Sequence, residues 1–151
     1  MTAVEASAVV PLTPEAAWDF LFADPRRAVE HLDEVVAVED YEVRADGTPR
    51  YRMVRRFGPL PPVSMVSDYY VFERPHRAVN RVLDSPLGGD FTVTYEPLPE
   101  GTRMSWRWDV EPRSRVLGLL LPLLRPLMTR SLQRDVTTVA QAAASALGKQ
   151  Q

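Results

Sequence analysis

The stretch GTRMSWRWDV, residues 101–110, alternates large apolar and polar side chains from Arg103 onward. Successive side chains of a β-strand point to opposite faces of the sheet, so one of the two rows must face a core. The inward row consists of Met104, Trp106, Trp108 and Val110. The stretch is therefore predicted to be a strand with one buried face and one solvated face.

The preceding stretch FTVTYE, residues 91–96, shows the same alternation. Its apolar row is Phe91, Val93 and Tyr95. A short turn over residues 97–101 joins the two stretches into an antiparallel hairpin, in which the two apolar rows lie side by side. The hairpin predicts a sheet with an apolar concave face and a solvated convex face.

Turn residues divide residues 35–110 into six strands, and a further short strand is predicted at residues 4–10. The predicted turns lie at residues 45–48, 58–62, 74–76, 85–90 and 97–101. Loops this short connect antiparallel neighbours, because a parallel return needs a crossover of about a dozen residues or more. All seven strands are therefore predicted to form one antiparallel sheet.

Helical patterns follow the first strand and occupy the C-terminal part of the chain. Thr13 can cap a first short helix, and Asp24 opens a second one that ends near residue 32. A long apolar stripe predicts a helix over residues 113–147. Pro122 and Pro126 lie inside it and predict a kink or a break between residues 121 and 126, because proline removes a helical hydrogen bond.

The order of these elements, β-α-α-β6-α, predicts an α+β fold. A curved seven-stranded antiparallel sheet, two short helices and the long C-terminal helix would enclose an apolar cavity. The length of 151 residues, with 45% hydrophobic and 25% charged residues, is typical of one globular domain, here residues 1–151.

Charge and composition exclude several classes of function. A formal net charge of −2 provides no broad attraction to phosphate backbones, so nucleic acid is not an expected partner. The absence of cysteine and the presence of only two histidines argue against a metal site, and no cofactor is expected. The N-terminus lacks a signal-peptide pattern, so a cytoplasmic location is expected. The leucine-rich residues 116–128 are too few to span a bilayer and are interrupted by Arg125, so no stable membrane insertion is expected, and a role at the membrane surface stays open.

An arginine falls on the inward row of the stretch RYRMVRRF, residues 50–57. That row consists of Tyr51, Met53, Arg55 and Phe57. An inward Arg55 needs a carboxylate partner, a water-filled cavity or a ligand anion, because an unpaired buried charge costs several kcal/mol. A bulge after Val54, or an early end of the strand, would instead place Arg55 at the rim.

The facing of residues 63–73 cannot be decided from the sequence, because both alternating rows carry apolar side chains. One row contains Ser67 and Tyr69, and the other contains Asp68. Asp68 is the acidic residue in the middle of this strand and could pair with an inward arginine if its row faces the cavity.

The order of elements and three local strings resemble the START/Bet v 1-like helix-grip superfamily, specifically its polyketide cyclase/dehydrase-like branch. The strings are PLTPEAAWDFLFADP (11–25), EGTRMSWRWDVEP (100–112) and the leucine run leading into RSLQRDVTTVAQ (130–141). The resemblance covers nearly the whole chain. It implies a deep cavity between the concave sheet and the last helix, which members use for lipids, sterols, hormones and polyketides.

Three functions are compatible with the sequence. An enzyme of the polyketide cyclase type would use Arg55 to stabilise an enolate, with Tyr51 or Tyr69 as proton donor or acceptor. A non-catalytic carrier would use the same cavity to hold a hydrophobic small molecule. An interaction module would use the leucine-rich C-terminal helix on a partner or in a homodimer. The chain is expected to be a monomer or a homodimer.

The candidate site residues follow from the inward rows, the undecided strand and the apolar stripe of the last helix. The candidate catalytic residues are Arg55, Tyr51 and Tyr69. The candidate ligand-binding residues are Trp106, Trp108, Met53, Phe57, Phe91, Tyr95, Met104, Ser67, Asp68, Leu124 and Met128.

Overall fold

Seven strands form one antiparallel sheet in the computed structural model, which describes residues 2–149. The strands are β1 (Thr2–Val10), β2 (Val35–Val43), β3 (Pro49–Arg55), β4 (Val63–Glu73), β5 (Arg77–Leu83), β6 (Leu87–Leu98) and β7 (Gly101–Pro112). Their order in the sheet is β1-β7-β6-β5-β4-β3-β2. Consecutive strands from β2 to β7 are therefore neighbours, as the short loops predict, and β1 closes the sheet beside β7.

Helices cover the concave face of this curved sheet. They are α1 (Pro14–Phe22), a 3₁₀ turn (Pro25–Arg27), α2 (Ala28–His31) and α3 (Arg115–Lys149). The hydroxyl of Thr13 accepts a hydrogen bond from the Ala16 N–H at 3.3 Å and caps α1. Trp18 and Phe22 of α1 are buried against the sheet, so α1 closes one end of the core.

The hairpin of β6 and β7 confirms the predicted facing of its two rows. Val93 lies opposite Trp106, and Tyr95 lies opposite Met104. All four side chains are buried. The turn at residues 99–100 and the one before β6 are shorter than predicted, because the strands continue into the turn residues.

A bulge in β4 explains why its facing could not be read from the sequence. Met65, Ser67 and Tyr69 point inward, and the pairing with β5 then shifts between Tyr69 and Val71. After the shift, Phe72 returns to the inward side and packs on Trp18 at 4.8 Å between ring centroids. The alternation therefore changes phase within one strand, which places apolar residues on both rows.

The structure decides between the alternatives for Arg55. The pairing of β3 with β4 is continuous through residue 55, and the irregularities lie in β2, on the other side of β3. No bulge follows Val54, so Arg55 keeps the inward facing of its row. Arg55 is 7% exposed, a fraction typical of a core residue.

The predicted break in the last helix is wrong, since α3 is continuous from Arg115 to Lys149. Pro122 and Pro126 both lie on the exposed side of α3. The carbonyl groups that the two prolines leave without an N–H partner can therefore bond to water, which lets the helix continue. No helix among residues 2–149 is long and apolar enough to cross a membrane.

Replacing the two prolines should stabilise the protein. Pro122→Ala and Pro126→Ala each restore a helical N–H at an exposed position, so each should raise the free energy of unfolding, by up to about 3 kcal/mol. Urea denaturation measures the change. Arg130→Ala, also exposed on α3, is the control and should change stability by less than about 0.5 kcal/mol. Destabilisation by either proline replacement would contradict a continuous helix with solvated carbonyls.

Candidate functional site

An internal cavity lies between the concave face of the sheet, α1 and α3. Its volume is about 100 Å³. Most of its wall is apolar or aromatic, and a few polar side chains interrupt that wall. The lining residues are Leu21, Phe22, Pro25, Leu32, Val35, Tyr51, Met53, Arg55, Phe57, Met65, Ser67, Tyr69, Asn80, Val82, Phe91, Val93, Trp106, Trp108, Leu132 and Asp135.

Aromatic rings pack against one another around the cavity. Phe57 stacks on Trp108 at 6.1 Å between ring centroids. Phe91 packs on Trp106 in a T-shaped arrangement, also at 6.1 Å between ring centroids. The indole N–H of Trp108 donates to the carbonyl of Gly88 at 3.1 Å. Such ring pairs contribute about 0.5–1.5 kcal/mol each beyond the burial of their area, so they stabilise this wall.

Arg55 and Asp135 form an ion pair within this aromatic wall. Nη2 of Arg55 lies 2.9 Å from Oδ2 of Asp135, and the two side chains are 9% and 3% exposed. Arg55 is the last residue of β3, and Asp135 lies near the middle of α3. The guanidinium also lies 4.4 Å from the ring centroid of Phe57, a cation–π contact. Neither of the paired atoms makes a hydrogen bond of good geometry to a described residue, so both have capacity for a further polar contact.

Opposing effects act on the Asp135 carboxyl. Burial raises the pKa of Asp135 above its usual value, and the Arg55 guanidinium opposes that rise. The charge of Glu34 raises the pKa of Asp135 further. Glu34 is itself held by the Ser131 hydroxyl at 2.9 Å and by the Gly58 N–H at 2.7 Å. A buried carboxyl with a raised pKa can exchange a proton nearer to neutral pH than an ordinary aspartate can.

A second polar group occupies another part of the cavity wall. The hydroxyl oxygens of Tyr51 and Tyr69 lie 3.3 Å apart. Burial raises the pKa of Tyr51 and raises that of Tyr69 well above its usual value, so both hydroxyls stay neutral. Asn80 pairs with Tyr69 across the strands, and its Oδ1 has no hydrogen-bond partner among the described residues. The indole Nε1 of Trp106 also lacks one.

Nine of the sequence-predicted site residues lie along this cavity. They are Tyr51, Met53, Arg55, Phe57, Ser67, Tyr69, Phe91, Trp106 and Trp108. The structure therefore brings the three candidate catalytic residues into one cavity wall, while their catalytic roles stay predictions.

The other five predicted residues lie away from the cavity. Tyr95 and Met104 are buried in the core between sheet and helices, and Met128 and Leu124 pack on that core from α3. Asp68 requires a correction, because its row faces outward. There it forms ion pairs with Arg44 and Arg50, the latter at 3.6 Å, so it cannot be the partner of Arg55.

Sequence reasoning missed Asp135 and Asn80. Asp135 was detectable as an acidic residue on the apolar stripe of α3, between Leu132 and Val139. A charged residue on a buried stripe requires a partner, and the inward Arg55 is that partner. Asn80 had no comparable signal, because one polar residue in a strand is common on either face.

The comparisons with known proteins agree with this architecture. The family described as polyketide cyclase / dehydrase and lipid transport matches residues 1–144. The chain belongs to this family. Its fold is the START/Bet v 1-like helix-grip fold that the resemblance implied.

Solved structures show how widely the fold of this polyketide cyclase/dehydrase-family chain recurs. A protein from Thermus thermophilus has a TM-score of 0.82 at 21% identity, with 96% of this chain and 99% of the other covered. A START superfamily protein from Mycobacterium smegmatis has a TM-score of 0.78 at 15% identity, covering 96% and 98%. The Zhui aromatase/cyclase from a Streptomyces species has a TM-score of 0.70 at 15% identity, covering 94% and 93%. At these identities the likeness establishes the fold alone. No curated protein sequence matches the chain.

The buried ion pair should give a characteristic pattern of stabilities. Arg55→Met leaves a buried carboxylate without its cation, and Asp135→Leu leaves a buried cation without its carboxylate. Each single variant should lower the free energy of unfolding by about 3–5 kcal/mol. The double variant should recover most of that loss, because two apolar side chains then replace the pair. Urea denaturation of all four proteins measures this cycle, and additive losses in the double variant would contradict the pairing.

The buried tyrosines should make stability fall at alkaline pH. Burial raises the folded-state pKa of Tyr51, Tyr69 and Tyr95 above the ordinary tyrosine value of about 10. Their neutral forms favour folding, so this stability is complete below pH 10 and is lost as the pH rises above it, by up to about 1.4 kcal/mol per pH unit for each tyrosine. Urea denaturation at several alkaline pH values measures the slope. Tyr51→Phe should make it shallower, and an unchanged slope in that variant would contradict the burial of its hydroxyl.

Proposed function

We propose that the cavity binds a compact apolar molecule that carries a ketone, enol or phenol oxygen, and that Arg55 holds this oxygen. The observation that carries the proposal is the Arg55–Asp135 ion pair inside an aromatic wall. A cavity that only packed the core would not need a charged pair, because apolar residues of the same volume stabilise a fold as well or better.

The polar groups of the cavity are concentrated at two places, which supports a ligand whose own polar atoms are at matching positions. Arg55 and Asp135 provide one polar group in the cavity, and Tyr51, Tyr69 and Asn80 provide another. Partnerless buried polar atoms are uncommon in folded proteins, and those of Asn80 and Trp106 are available to water or to a ligand. The aromatic surface around them suits a flat, conjugated molecule.

The size of the cavity restricts the ligand further. A volume of about 100 Å³ is below the roughly 300–1,000 Å³ of typical ligand sites. It can hold a molecule of one or two rings after small side-chain movements. An extended poly-β-ketone chain would require the loop at residues 56–62, which carries Phe57, to move away from Trp108.

The proposed chemistry is of the cyclase or aromatase type. The Asp135 carboxylate would take a proton from a carbon between two ketones and leave an enolate. The Arg55 guanidinium would stabilise the negative oxygen of that enolate while the carbon attacks a second carbonyl. A neutral hydroxyl of Tyr51 or Tyr69 would donate a hydrogen bond to that carbonyl, and the protonated Asp135 would return its proton to the alkoxide that the attack forms. Family membership supports this proposal, as does the aromatase/cyclase among the structures of the same fold.

Binding without catalysis is the second candidate function. The observation that favours it is that the described cavity wall contains no histidine. The proton-transfer groups on that wall are Asp135 and the tyrosines, which burial holds neutral. A carrier needs only the apolar wall and one anchoring group.

A pair of matched ligands tests the binding proposal. Tryptophan fluorescence would follow the titration of the protein with 2-naphthol and with 2-methylnaphthalene, which has the same rings without the hydroxyl. The intact protein should prefer 2-naphthol by about tenfold, the value of one good hydrogen bond to a charged group. The Arg55→Met/Asp135→Leu double variant should bind both ligands equally. Equal binding of both ligands by the intact protein would contradict the proposal.

A further experiment separates the enzyme from the carrier. A linear aromatic triketone would be incubated with the intact protein and with the double variant, and NMR would follow the cyclised product. An enzyme should accelerate cyclisation well above the double variant. A carrier should bind the triketone without changing the rate of cyclisation.

A further inference from the structure

An exposed apolar face lies on the first turns of α3. Val116 is 66% exposed, Leu119 79%, Leu120 42% and Leu123 76%. The spacing of three and four residues places them on one side of the helix. The buried stripe that begins with Leu121 and continues through Met128 lies on another side, so these four residues contribute nothing to the core. We define them as the leucine face.

The loop between β3 and β4 extends this apolar surface. Gly58 lies against Leu127, which is one turn along α3 from Leu123, and a Cβ at Gly58 would be 2.8 Å from Cδ1 of Leu127. The loop exposes Leu60 and three prolines, at positions 59, 61 and 62. Phe57 at its start lines the cavity. The leucine face therefore adjoins the loop that covers one wall of the cavity.

Arginines lie beside the leucine face, in a segment without acidic residues. Residues 113–134 contain five arginines and no aspartate or glutamate. Arg115 and Arg130 lie beside the leucine face, are exposed and form no ion pair with a carboxylate of a described residue. Arg125 lies on the opposite side of α3, where its Nε donates to the carbonyl of Ala3 at 3.2 Å. Most other arginines on the surface are paired, for example Arg74 with Asp19 at 2.8 Å and Arg107 with Glu5 at 2.6 Å. The positive charge is thus local, in a chain whose net charge is −2.

We infer that the leucine face docks on the surface of an anionic lipid bilayer. Exposed leucines can enter the boundary between head groups and acyl chains, while arginines beside them contact anionic head groups. A second copy of the chain fits less well, because a twofold axis through this face would place arginines against arginines. Docking would bring the loop at residues 56–62 to the membrane, so an apolar ligand could move between bilayer and cavity without crossing water.

Vesicle sedimentation tests this inference. Vesicles of phosphatidylcholine alone would be compared with vesicles of equal parts phosphatidylcholine and phosphatidylglycerol. The protein should bind the anionic vesicles, and added salt should weaken the binding. Leu119→Ser/Leu123→Ser should reduce the partition coefficient by at least about tenfold, because two apolar side chains are lost. Val43→Ser removes a side chain of 56% exposure on β2 and is the matched control, which should bind like the intact protein.

A second pair of variants tests the charges. Arg115→Gln/Arg130→Gln should weaken binding to anionic vesicles while leaving the melting temperature unchanged. Arg77→Gln, an exposed arginine far from α3 in the sequence, should have no effect.

Three results would overturn the inference. The first is that the protein does not bind anionic vesicles, and the second is that Leu119→Ser/Leu123→Ser binds them as well as the intact protein does. The third is that the intact protein forms a salt-independent dimer and the leucine variant is a monomer, which would assign this face to a second copy. The ligand titration of the cavity uses no vesicles, so its outcome is independent of this one.

Discussion

The ion pair between Arg55 and Asp135 connects the sheet to the helix that covers it. Arg55 ends β3 and Asp135 lies on α3, so their contact joins the helix to the concave face of the sheet. Because both charges are buried, neither residue can be changed alone without leaving the other in an apolar environment. The same contact places a cation and a carboxyl of raised pKa inside the cavity. One interaction thus links the helix to the sheet and supplies the charged groups available to a ligand.

The aromatic wall shields the Arg55–Asp135 pair from solvent and so strengthens its electrostatic interactions. Phe57 covers the guanidinium and stacks on Trp108, so solvent is largely excluded from the charges. Electrostatic interactions are stronger in such surroundings than in water. A ligand oxygen that reaches Arg55 would therefore gain more than it would at the surface, whereas a purely apolar ligand would leave the pair as it is.

Much of the fold could be predicted from the sequence, and the partner of Arg55 could not. The alternation in β6 and β7 determines the inward rows, because a strand without a bulge has a strict period of two. The bulge in β4 breaks that period, which left Asp68 as a false candidate and hid the inward facing of Ser67 and Tyr69. The helix break failed as a prediction because its prolines face water. The pairing with Asp135 joins β3 to α3, two elements far apart in the sequence, and local patterns do not contain such a long-range relation.

The proposed function requires that a ligand oxygen binds at Arg55 inside the cavity. A crystal structure of the protein with bound 2-naphthol tests it most directly. We expect the rings to lie between the aromatic side chains, with the hydroxyl oxygen within hydrogen-bond distance of the Arg55 guanidinium. A complex in which the rings occupy the cavity but the oxygen points away from this pair would contradict it.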